Sequence, residues 1–426
     1  MKIENLHEIF LASTGICTDT RRITEGCLFV ALKGDNFNGN GFSHEAIEKG
    51  ASKVIIDEIG YHKNTGETIL CANSLVMLQK LATFHRNYLK LPIIAITGSN
   101  GKTTTKELIN AVLKQKLNTV ATVGNLNNHI GVPLTLLSMS SETEIGIVEM
   151  GANHPKEIAD LCNIALPDYG YITNFGKAHL EGFGSIEGVI RAKTELYKHL
   201  EKNNKTAFIN GNDPLQMLHS KKLNRIIFGS AQHECVVHLK DTSNELLVEF
   251  NDVTIQSRLI GRYNFHNIAA AIAIGVHFKI AAIAIKRAIE DYVPANNRSQ
   301  IISKSGYKII LDAYNANPTS MQAALENFSQ LEAKHKVLFL GDMFELGTAA
   351  ESEHQNIVDL LEKEELGATY LIGSNFYKTT VRSPQIRKFE NFEALRLALH
   401  NLAPKHGTLL IKGSRGMALE RILDYL

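Results

Sequence analysis

The sequence predicts an α/β protein of three domains, and two observations lead to that prediction. From Pro92 onward, apolar runs that end in glycine or polar residues alternate with helical patterns, as in a parallel sheet with crossover helices. Breaks at Pro92 and at the segment VPANNRSQ divide the 426 residues, which are too many for one ordinary core. We therefore predict a small mixed α/β N-terminal domain, a central parallel-sheet domain with a phosphate loop, and a C-terminal α/β domain, with bounds 1–90, 91–295 and 296–426.

The composition is that of a soluble globular protein and argues against several kinds of partner. The hydrophobic fraction is 44% and the charged fraction 21%, and a net charge of +1 gives no field that would attract a nucleic acid. The five cysteines are scattered and lack the paired spacing of a zinc or redox motif. No run approaches the roughly 18 apolar residues of a membrane span. We expect a cytoplasmic monomer with reduced thiols and with neither a nucleic-acid nor a membrane partner.

The N-terminal region contains short strand-like segments. Segments 27–32 and 53–57 have strand character, and segment 33–43 between them is rich in Gly and Asn, which predicts a loop. Pro92 then marks a linker before a buried strand.

The central region has the pattern of a parallel sheet. The candidate strands are 93–97, 145–150, 169–173 and 206–210. Between Arg225 and Ile260 shorter alternating segments predict a set of antiparallel hairpins, and a helix pair follows over 267–278 and 282–292.

The C-terminal region repeats the order of strand, turn and helix after Pro294. Its candidate strands are 308–312, 336–342, 369–374 and 408–414, and each runs into Gly or Asp. Ligands bind at that end of the strands in open α/β sheets, so we expect a binding edge there.

The segment ITGSNGKTTTKEL, residues 96–108, has the pattern of a phosphate-binding loop. A strand, the loop GSNGK and a helix follow one another, so backbone N–H groups of the turn and of the helix N-terminus would face an anion. Lys102 would reach the β- and γ-phosphates and Thr103 would sit on Mg²⁺. Ile96 stands where the usual motif has its first glycine, which predicts a tighter loop. An ordinary glycine-rich turn is the simpler alternative, but the G-K-T-T pattern with these flanks favours nucleotide binding.

Glu149 ends an apolar strand, at the position where phosphate-loop enzymes hold a metal with a carboxylate. By itself it would be interpreted as a glutamate facing solvent. The phosphate loop nearby makes a metal ligand the better interpretation.

Lys193 occupies a core-facing position on a predicted helix. The apolar face of that helix contains Ile186, Val189, Ile190, Leu196, Tyr197 and Leu200 at helical spacing, and position 193 falls among them. Such a lysine often extends its stem to solvent. If it is buried instead, its pKa falls and the amine becomes nucleophilic, so that it can react with CO₂ to give a carboxylate-like metal ligand.

His179 follows the strand 169–173 and is expected at the same sheet edge. Any one of the 17 histidines is more often a surface or core residue than a ligand. In this loop the two interpretations are about equally supported.

Nine segments in order along the chain, from about residue 18 to residue 420, resemble the Mur ligases of peptidoglycan synthesis. The segments are TDTRRITEGCLFVALKGDNFNGNGF, TGSNGKTTTKE, GNLNNHIGVPLTLL, EMGANHPKEI, AKTEL, GRYNFHNIAAA, DAYNANPTSM, GDMFELG and KGSRGMALE. The first and the last three resemble the branch of that family whose substrates are UDP-N-acetylmuramoyl-tripeptide and D-alanyl-D-alanine.

The resemblance implies an N-terminal domain for the UDP end of the substrate, a central ATP-binding domain and a Rossmann-like C-terminal domain that carries the incoming amine. It implies that ATP activates the peptide carboxylate as an acyl phosphate. The loop residues implied in phosphate binding are Gly98, Ser99, Asn100, Gly101, Lys102, Thr103 and Thr104.

The resemblance also assigns metal, nucleotide and substrate residues. Thr103 and Glu149 would hold one Mg²⁺, and His179 with a carbamylated Lys193 would support a second. Lys102, Glu149, His179 and Lys193 form the implied catalytic set. Asn267 would lie near the adenine, Arg298 and Asp312 would contact the nucleotide from the C-terminal side, and Asp19, Thr20 and Arg21 would lie near the UDP substrate.

Two alternatives and three details remain open from the sequence. A folylpolyglutamate synthase resembles the central and C-terminal parts but lacks a separate UDP-binding domain, so residues 1–90 discriminate. A nucleotide-gated regulator would bind phosphate without ligation and leaves GDMFELG, DAYNANP and Lys193 unexplained. The third peptide residue, either meso-diaminopimelate or L-lysine, the group that accepts the amine proton and the extent of domain closure are not fixed.

Overall fold

The computed structural model describes residues 1–63, 65–230, 233–333, 335–402 and 406–426. These residues form five sheets arranged in three α/β domains, in agreement with the predicted fold class. None of the helices in these residues has the length and hydropathy needed to span a bilayer.

The N-terminal domain is built on a four-stranded parallel sheet. Its elements are α1 (Ile3–Leu11), β1 (Ile16–Cys17), β2 (Leu28–Val30), β3 (Lys33–Gly34), β4 (Phe37–Asn38), α2 (Ser43–Glu48), β5 (Lys53–Ile56), β6 (Thr68–Leu70) and α3 (Ser74–Leu89). The sheet order is β1-β2-β5-β6, and β3 pairs with β4 in a separate antiparallel hairpin. The predicted loop 33–43 therefore contains a hairpin, whose two-residue strands are too short to give an alternating pattern.

The central domain is a seven-stranded parallel sheet with a small antiparallel sheet beside it. Its elements are β7 (Ile93–Thr97), α4 (Lys102–Leu113), β8 (Thr119–Ala121), α5 (Gly131–Leu137), β9 (Ile145–Glu149), α6 (Glu157–Ala165), β10 (Tyr169–Ile172), α7 (Leu180–Phe183), α8 (Ile186–Lys193), α9 (Glu195–Lys202), β11 (Thr206–Asn210), α10 (Pro214–His219), β12 (Asn224–Gly229), β13 (Cys235–Val236), β14 (His238–Asp241), β15 (Glu245–Phe250), β16 (Val253–Ile260), α11 (Tyr263–His277) and α12 (Ala282–Asp291). The order is β13-β12-β11-β10-β7-β9-β8. After β7 the chain forms β8 and β9 on one side of it and then crosses to β10 on the other side. The end of β7 is therefore a topological switch point, where α/β proteins bind ligands.

The predicted antiparallel region is only partly correct. β14, β15 and β16 form an antiparallel sheet, but β12 and β13 extend the large parallel sheet. β12 lies near the edge of the sheet, and three of its six residues are half-buried and one is exposed. It therefore lacks the continuous apolar run by which the inner strands were recognised.

The C-terminal domain is a six-stranded sheet with one antiparallel edge. Its elements are β17 (Gln300–Lys304), β18 (Tyr307–Asp312), α13 (Pro318–Gln330), β19 (Lys336–Gly341), α14 (Ala350–Glu364), β20 (Ala368–Ile372), α15 (Ser374–Lys378), β21 (Ile386–Phe389), α16 (Phe392–Leu402) and β22 (Gly407–Lys412). The order is β17-β18-β22-β19-β20-β21, and only β17 is antiparallel to its neighbour. All four predicted strands are present, and β17 and β21 are additional.

The N-terminal domain shares a hydrophobic core with one face of the central sheet. Buried residues of α1, β2 and α3 form one cluster with residues of β7, α5 and α6. At the junction Arg86 Nη2 lies 2.6 Å from Asp168 Oδ2, which also accepts from the backbone N–H of Ile93 at 3.0 Å. The two domains are therefore packed together as closely as elements within one domain.

Two histidines are buried where α1 packs on α3. His7 Nε2 lies 2.9 Å from His85 Nδ1, and His85 Nε2 lies 2.9 Å from the carbonyl oxygen of Met139. Because a carbonyl only accepts, His85 carries its proton on Nε2 and accepts at Nδ1 from His7. Burial lowers the pKa of both rings, and the neighbouring His85 lowers that of His7 further.

We expect the free energy of unfolding to fall as the pH is lowered below about 6.5, because the unfolded chain then takes up protons that these buried rings resist. The slope can reach about 1.4 kcal/mol per pH unit for each histidine. Urea unfolding of wild type and of the double variant His7→Phe, His85→Leu at pH 7.5, 6.5 and 5.5 measures the effect. The variant should show the shallower pH dependence, and an unchanged slope would contradict the prediction.

Candidate active site

The phosphate loop is a four-residue connection between β7 and α4, and its two glycines are required by close packing. A Cβ on Gly98, at φ +142°, would lie 2.0 Å from Thr173 Oγ1, and a Cβ on Gly101, at φ +79°, would lie 2.7 Å from Asn267 Oδ1. The first backbone hydrogen bond of α4 is donated by Thr105 to Gly101. The N–H groups before it are those that a helix N-terminus offers to an anion.

Ile96 occupies the position at which the usual motif has its first glycine. It is fully buried within β7 and packs in the hydrophobic core beneath α4. The loop therefore begins two residues later, at Gly98, and contains four residues before α4 begins at Lys102.

The side chain of Lys102 lies against the loop. Its Nζ donates to the carbonyl oxygens of Gly98 at 2.8 Å and Ser99 at 3.4 Å. Burial lowers the pKa of Lys102; Glu149 opposes that shift and Arg298 adds to it. The Lys102 amine therefore contacts the phosphate loop and lies near both the Arg298 cation and the Glu149 carboxylate.

Three buried oxygen atoms beside the loop have no hydrogen-bond partner among the described residues: Thr97 Oγ1, Thr103 Oγ1 and Glu149 Oε2. Thr103 and Glu149 line the same cavity, whereas Thr97 does not. The other carboxylate oxygen of Glu149 accepts from Asn127 Nδ2 at 2.8 Å. An unsatisfied buried acceptor is costly, and Mg²⁺ prefers one or two protein oxygens together with phosphate oxygens and waters. The oxygens of Thr103 and Glu149 fit such an ion. The described part of the chain contains no cluster of three His, Cys, Asp or Glu that would form an all-protein metal cage.

Lys193 is buried at the end of α8, as its helical position predicted. Its exposed fraction is 1%, and its Nζ donates to the carbonyl oxygen of Ala152 at 3.3 Å and lies 5.3 Å from the ring centroid of Phe183. Burial lowers the pKa of Lys193 well below its ordinary value, and the Lys102 cation lowers it further. The amine therefore favours the neutral, nucleophilic form, and its stem does not reach solvent.

His179 immediately precedes α7 and faces the C-terminal domain. Its Nδ1 lies 2.5 Å from Glu345 Oε2, without the alignment of an ideal hydrogen bond. The backbone of His179 is left-handed, with φ +52°.

The three predicted nucleotide contacts lie in different parts of the chain: Arg298 in the segment before β17, Asp312 at the end of β18 and Asn267 on α11. Arg298 stacks on the ring of Tyr314 at 3.6 Å, and Asp312 pairs with the buried Lys412, whose Nζ lies 2.5 Å from Oδ2. Asn267 lies on α11 and accepts from Thr105 Oγ1 at 2.9 Å. Asn267 therefore contacts the first turn of α4, directly after the phosphate loop, and the sequence did not predict this contact.

These residues surround one cleft of about 910 Å³ between the central and C-terminal domains. The predicted residues that line it are Ser99, Asn100, Gly101, Lys102, Thr103, Thr104, Glu149, His179, Asn267, Arg298 and Asp312. Gly98 and Lys193 lie behind its wall, and Ala152, the partner of Lys193, belongs to the wall.

The predicted UDP-site residues lie elsewhere, at a second cavity of about 650 Å³ between the N-terminal and central domains. Asp19 lines it, whereas Thr20 and Arg21 do not. Arg21 hydrogen-bonds to Asp19 and lowers the pKa of that carboxyl to about 2. The loop at residues 125–129 separates the cavities, since Leu126 lines the second and Asn125 and Asn127 line the first.

Several side chains of the cleft received no role from the sequence. Asn174 holds the phosphate loop by accepting from the backbone N–H of Asn100 and donating to its carbonyl oxygen, both at 3.0 Å. Asn317 Nδ2 in the C-terminal domain donates to Asn100 Oδ1 at 2.7 Å. Lys177, which does not line the cleft, also contacts the C-terminal domain, with Nζ 2.6 Å from Glu353 Oε1. Asn317 and Glu345 lie in quoted motifs, but their partners are distant in sequence.

Comparison with known proteins places this architecture in one family. Residues 96–275 match the Mur ligase middle domain, and residues 297–415 match the domain described as Mur ligase, glutamate ligase domain. The chain belongs to the Mur ligase family. The membership expected from the nine motifs is thereby confirmed.

Individual Mur ligases resemble the chain over nearly its full length. It is 35% identical to the UDP-N-acetylmuramoyl-tripeptide–D-alanyl-D-alanine ligase of Buchnera aphidicola subsp. Baizongia pistaciae, over 99% of this chain and 93% of that protein. It is 34% identical to the ligase of the same name from Bacillus subtilis, over 97% and 93%.

Two solved Mur ligase structures have the same fold. MurF from Acinetobacter baumannii superposes with a TM-score of 0.85 at 28% identity, covering 100% of this chain and 98% of that one. MurF ligase from Thermotoga maritima, solved in complex with ADP, superposes with a TM-score of 0.84 at 28% identity, covering 97% of each chain.

Proposed function

We propose that this chain is an ATP-dependent amide ligase that joins D-alanyl-D-alanine to UDP-N-acetylmuramoyl-tripeptide through an acyl phosphate. The observation that carries the proposal is the pair of unsatisfied buried oxygens, Thr103 Oγ1 and Glu149 Oε2, beside the phosphate loop and Lys102. The names of the full-length relatives supply the substrates. The chemistry is peptidoglycan precursor synthesis, which we place in the cytoplasm.

The reaction must first overcome repulsion between two anions. A carboxylate oxygen of the peptide attacks the γ-phosphorus of ATP, and ADP leaves with the electrons of the broken P–O bond. At a few ångströms in a partly dry site, the repulsion is worth several kcal/mol. Lys102 and the N-terminus of α4 provide positive charge where it is needed, and they require no reorganisation during the step.

In the second step the amine of the dipeptide attacks the acyl carbon. A tetrahedral intermediate forms, inorganic phosphate leaves, and one proton is released from the nitrogen. Water must be kept away from the acyl phosphate, and the C-terminal domain covers the cleft through Asn317 and Glu345. Asn267 is proposed to lie near the adenine, and Arg298 and Asp312 are proposed to contact the nucleotide from the C-terminal side.

Thr103 and Glu149 are proposed to hold one Mg²⁺, with His179 and a modified Lys193 supporting a second. When bound, these ions neutralise phosphate charge and polarise the phosphoryl group. The modification forms a bond between Lys193 Nζ and the carbon of CO₂ and releases a proton. The neutral amine favoured by burial is the form that can make this bond.

The two cavities suggest how the long substrate is held. We propose that the UDP end binds near Asp19, Thr20 and Arg21, and that the peptide crosses the 125–129 loop to bring its carboxylate to Lys102. The boundaries after residues 90 and 295 are proposed on the same basis. Lys90, after α3, and Asn296 and Asn297 in the second linker have left-handed backbones, which mark ends of regular structure. We also propose that the enzyme acts as a monomer.

The test is ADP release by the purified chain with ATP, Mg²⁺ and UDP-muramoyl-tripeptides that contain either meso-diaminopimelate or L-lysine. We expect D-alanyl-D-alanine to accelerate ADP release and to appear in an amide product with at least one of them. The control omits the dipeptide. ADP release at the same rate without it, and with no amide product, would refute the ligase assignment.

A further inference from the structure

The contact between His179 and Glu345 joins two domains at the edge of the cleft. His179 immediately precedes α7 in the central domain, and Glu345 lies in the loop after β19 in the C-terminal domain. Their nearest atoms, Nδ1 and Oε2, are 2.5 Å apart. The carboxylate of one domain therefore lies directly beside the imidazole of the other, close enough for a strong electrostatic interaction.

Both partners have strained backbones. His179 has φ +52° and Glu345 has φ +61°, in the left-handed region that residues with a Cβ seldom adopt. Each such residue costs of the order of 1 kcal/mol and persists only where its surroundings impose it. The contact is therefore made between two residues that each lie at a sharp turn of the backbone.

The loop of Glu345 is held at each of its preceding residues. Asp342 accepts from the backbone N–H groups of Asn375 and Phe376, both at 2.9 Å. The N–H of Met343 donates to His354 Nε2 at 3.0 Å, and that of Phe344 donates to Ser414 Oγ at 2.9 Å.

The backbone of Glu345 is also hydrogen-bonded to the central domain. The carbonyl oxygen of Glu345 accepts from the N–H of Glu181 at 3.1 Å. The C-terminal domain therefore presents this carboxylate in a fixed position, and the histidine turn of the central domain receives it.

We propose that Glu345 is a positioning residue that orients His179 as a metal ligand, so that the second metal site is complete only when the C-terminal domain is docked. This inference rests on the metal role given to His179 under the proposed function. The negative charge of a carboxylate beside Nδ1 favours the tautomer with its proton on that nitrogen, which leaves a lone pair on Nε2; this is the usual arrangement behind a metal-bound histidine. Metal binding and domain docking are then linked, and each strengthens the other by the same factor.

The chain offers a matched control for domain docking. Glu353 makes another ion pair between the same two domains, with Lys177 rather than with His179. Glu353→Gln removes a docking interaction without touching the histidine. Glu345→Gln removes the carboxylate charge, and its side chain is 48% exposed, so the core is not disturbed.

The experiment measures Mn²⁺ binding to the full-length chain with ADP, by electron paramagnetic resonance of free Mn²⁺. His179→Ala identifies the component of binding that depends on the histidine. For that component we expect Glu345→Gln to raise the Kd by about 10- to 100-fold, the usual effect of removing such a partner. Glu353→Gln should raise it much less. Thermal unfolding of each variant checks that the fold is retained.

A second readout reports on the histidine directly. Nitrogen-15 NMR of histidine-labelled protein, with His179→Ala for assignment, should show the Nδ1–H tautomer of His179 in wild type and in Glu353→Gln but not in Glu345→Gln. Wild-type Mn²⁺ affinity in Glu345→Gln, or an equal loss in Glu345→Gln and Glu353→Gln, would overturn the inference. If His179→Ala binds Mn²⁺ like wild type, the metal role of His179 fails and the inference fails with it. Amide formation by wild type, measured separately, shows whether the ligase assignment survives either result.

Discussion

Lys193→Ala is expected to lower the rate of amide formation at least about a hundredfold, the effect of removing one group that stabilises developing charge. The lysine is 1% exposed, is held by the carbonyl oxygen of Ala152, and lies close enough to Lys102 for that cation to lower its pKa. An unmodified amine in that position offers no negative charge to a metal ion. Carbamylation supplies a negative charge and metal-binding oxygens.

Rescue distinguishes the carbamate from a merely structural lysine. Short-chain carboxylates such as acetate should restore part of the activity of Lys193→Ala, because they can place an anion in the space that the side chain leaves. Lys193→Arg keeps the charge but cannot form the carbamate, and should be inactive with or without acetate. The measurements are ADP release and amide product at several acetate concentrations. A fully active Lys193→Ala variant would refute the assignment.

Lys102→Met is expected to reduce kcat by about 10²- to 10³-fold, because it removes a cation aimed at the phosphates while keeping much of the side-chain volume. The amine lies on the loop, 2.8 Å from the carbonyl oxygen of Gly98. The variant should still fold, since the amine makes no contact with the core. Steady-state kinetics and ADP binding by calorimetry measure the effect.

Lys106 provides the control for that variant. It lies on the same helix, is 3% exposed, and donates from Nζ to the carbonyl oxygen of Thr122 at 2.8 Å, but it does not line the cleft. Lys106→Met should lower thermal stability and change kcat much less than Lys102→Met does. Equal losses of kcat would mean that the effect at Lys102 is structural.

Features that depend on local sequence could be predicted. The phosphate loop follows from the order of strand, glycines and helix, and the burial of Lys193 follows from its place in a helical stripe. β7, β9, β10 and β11 were recognised because inner parallel strands are buried on both faces, whereas β8, a three-residue strand at the sheet edge, was missed. β12 and β13 were misassigned, since strands near a sheet edge lose that continuous apolar pattern.

Features that depend on distant parts of the chain could not be predicted. Asn100 and Asn317 are 217 positions apart, and nothing in either segment identifies the other. The same is true of His179 and Glu345, which meet only because two domains dock. Thr20 and Arg21 do not line the second cavity, whereas their neighbour Asp19 does, because side-chain direction in a short turn is set by local geometry that the motif does not encode.

The apolar core shared by the N-terminal domain and the central sheet has a mechanical consequence. With Arg86 and Asp168 bridging the same junction, residues near 91 offer little freedom to bend, so large rotation is left to the linker around Asn296. We therefore expect the distance between the phosphate loop and the cavity beside Asp19 to change little when the C-terminal domain moves. A peptide one residue shorter or longer should then present its terminal carboxylate at the wrong distance from the γ-phosphorus and be a poorer substrate.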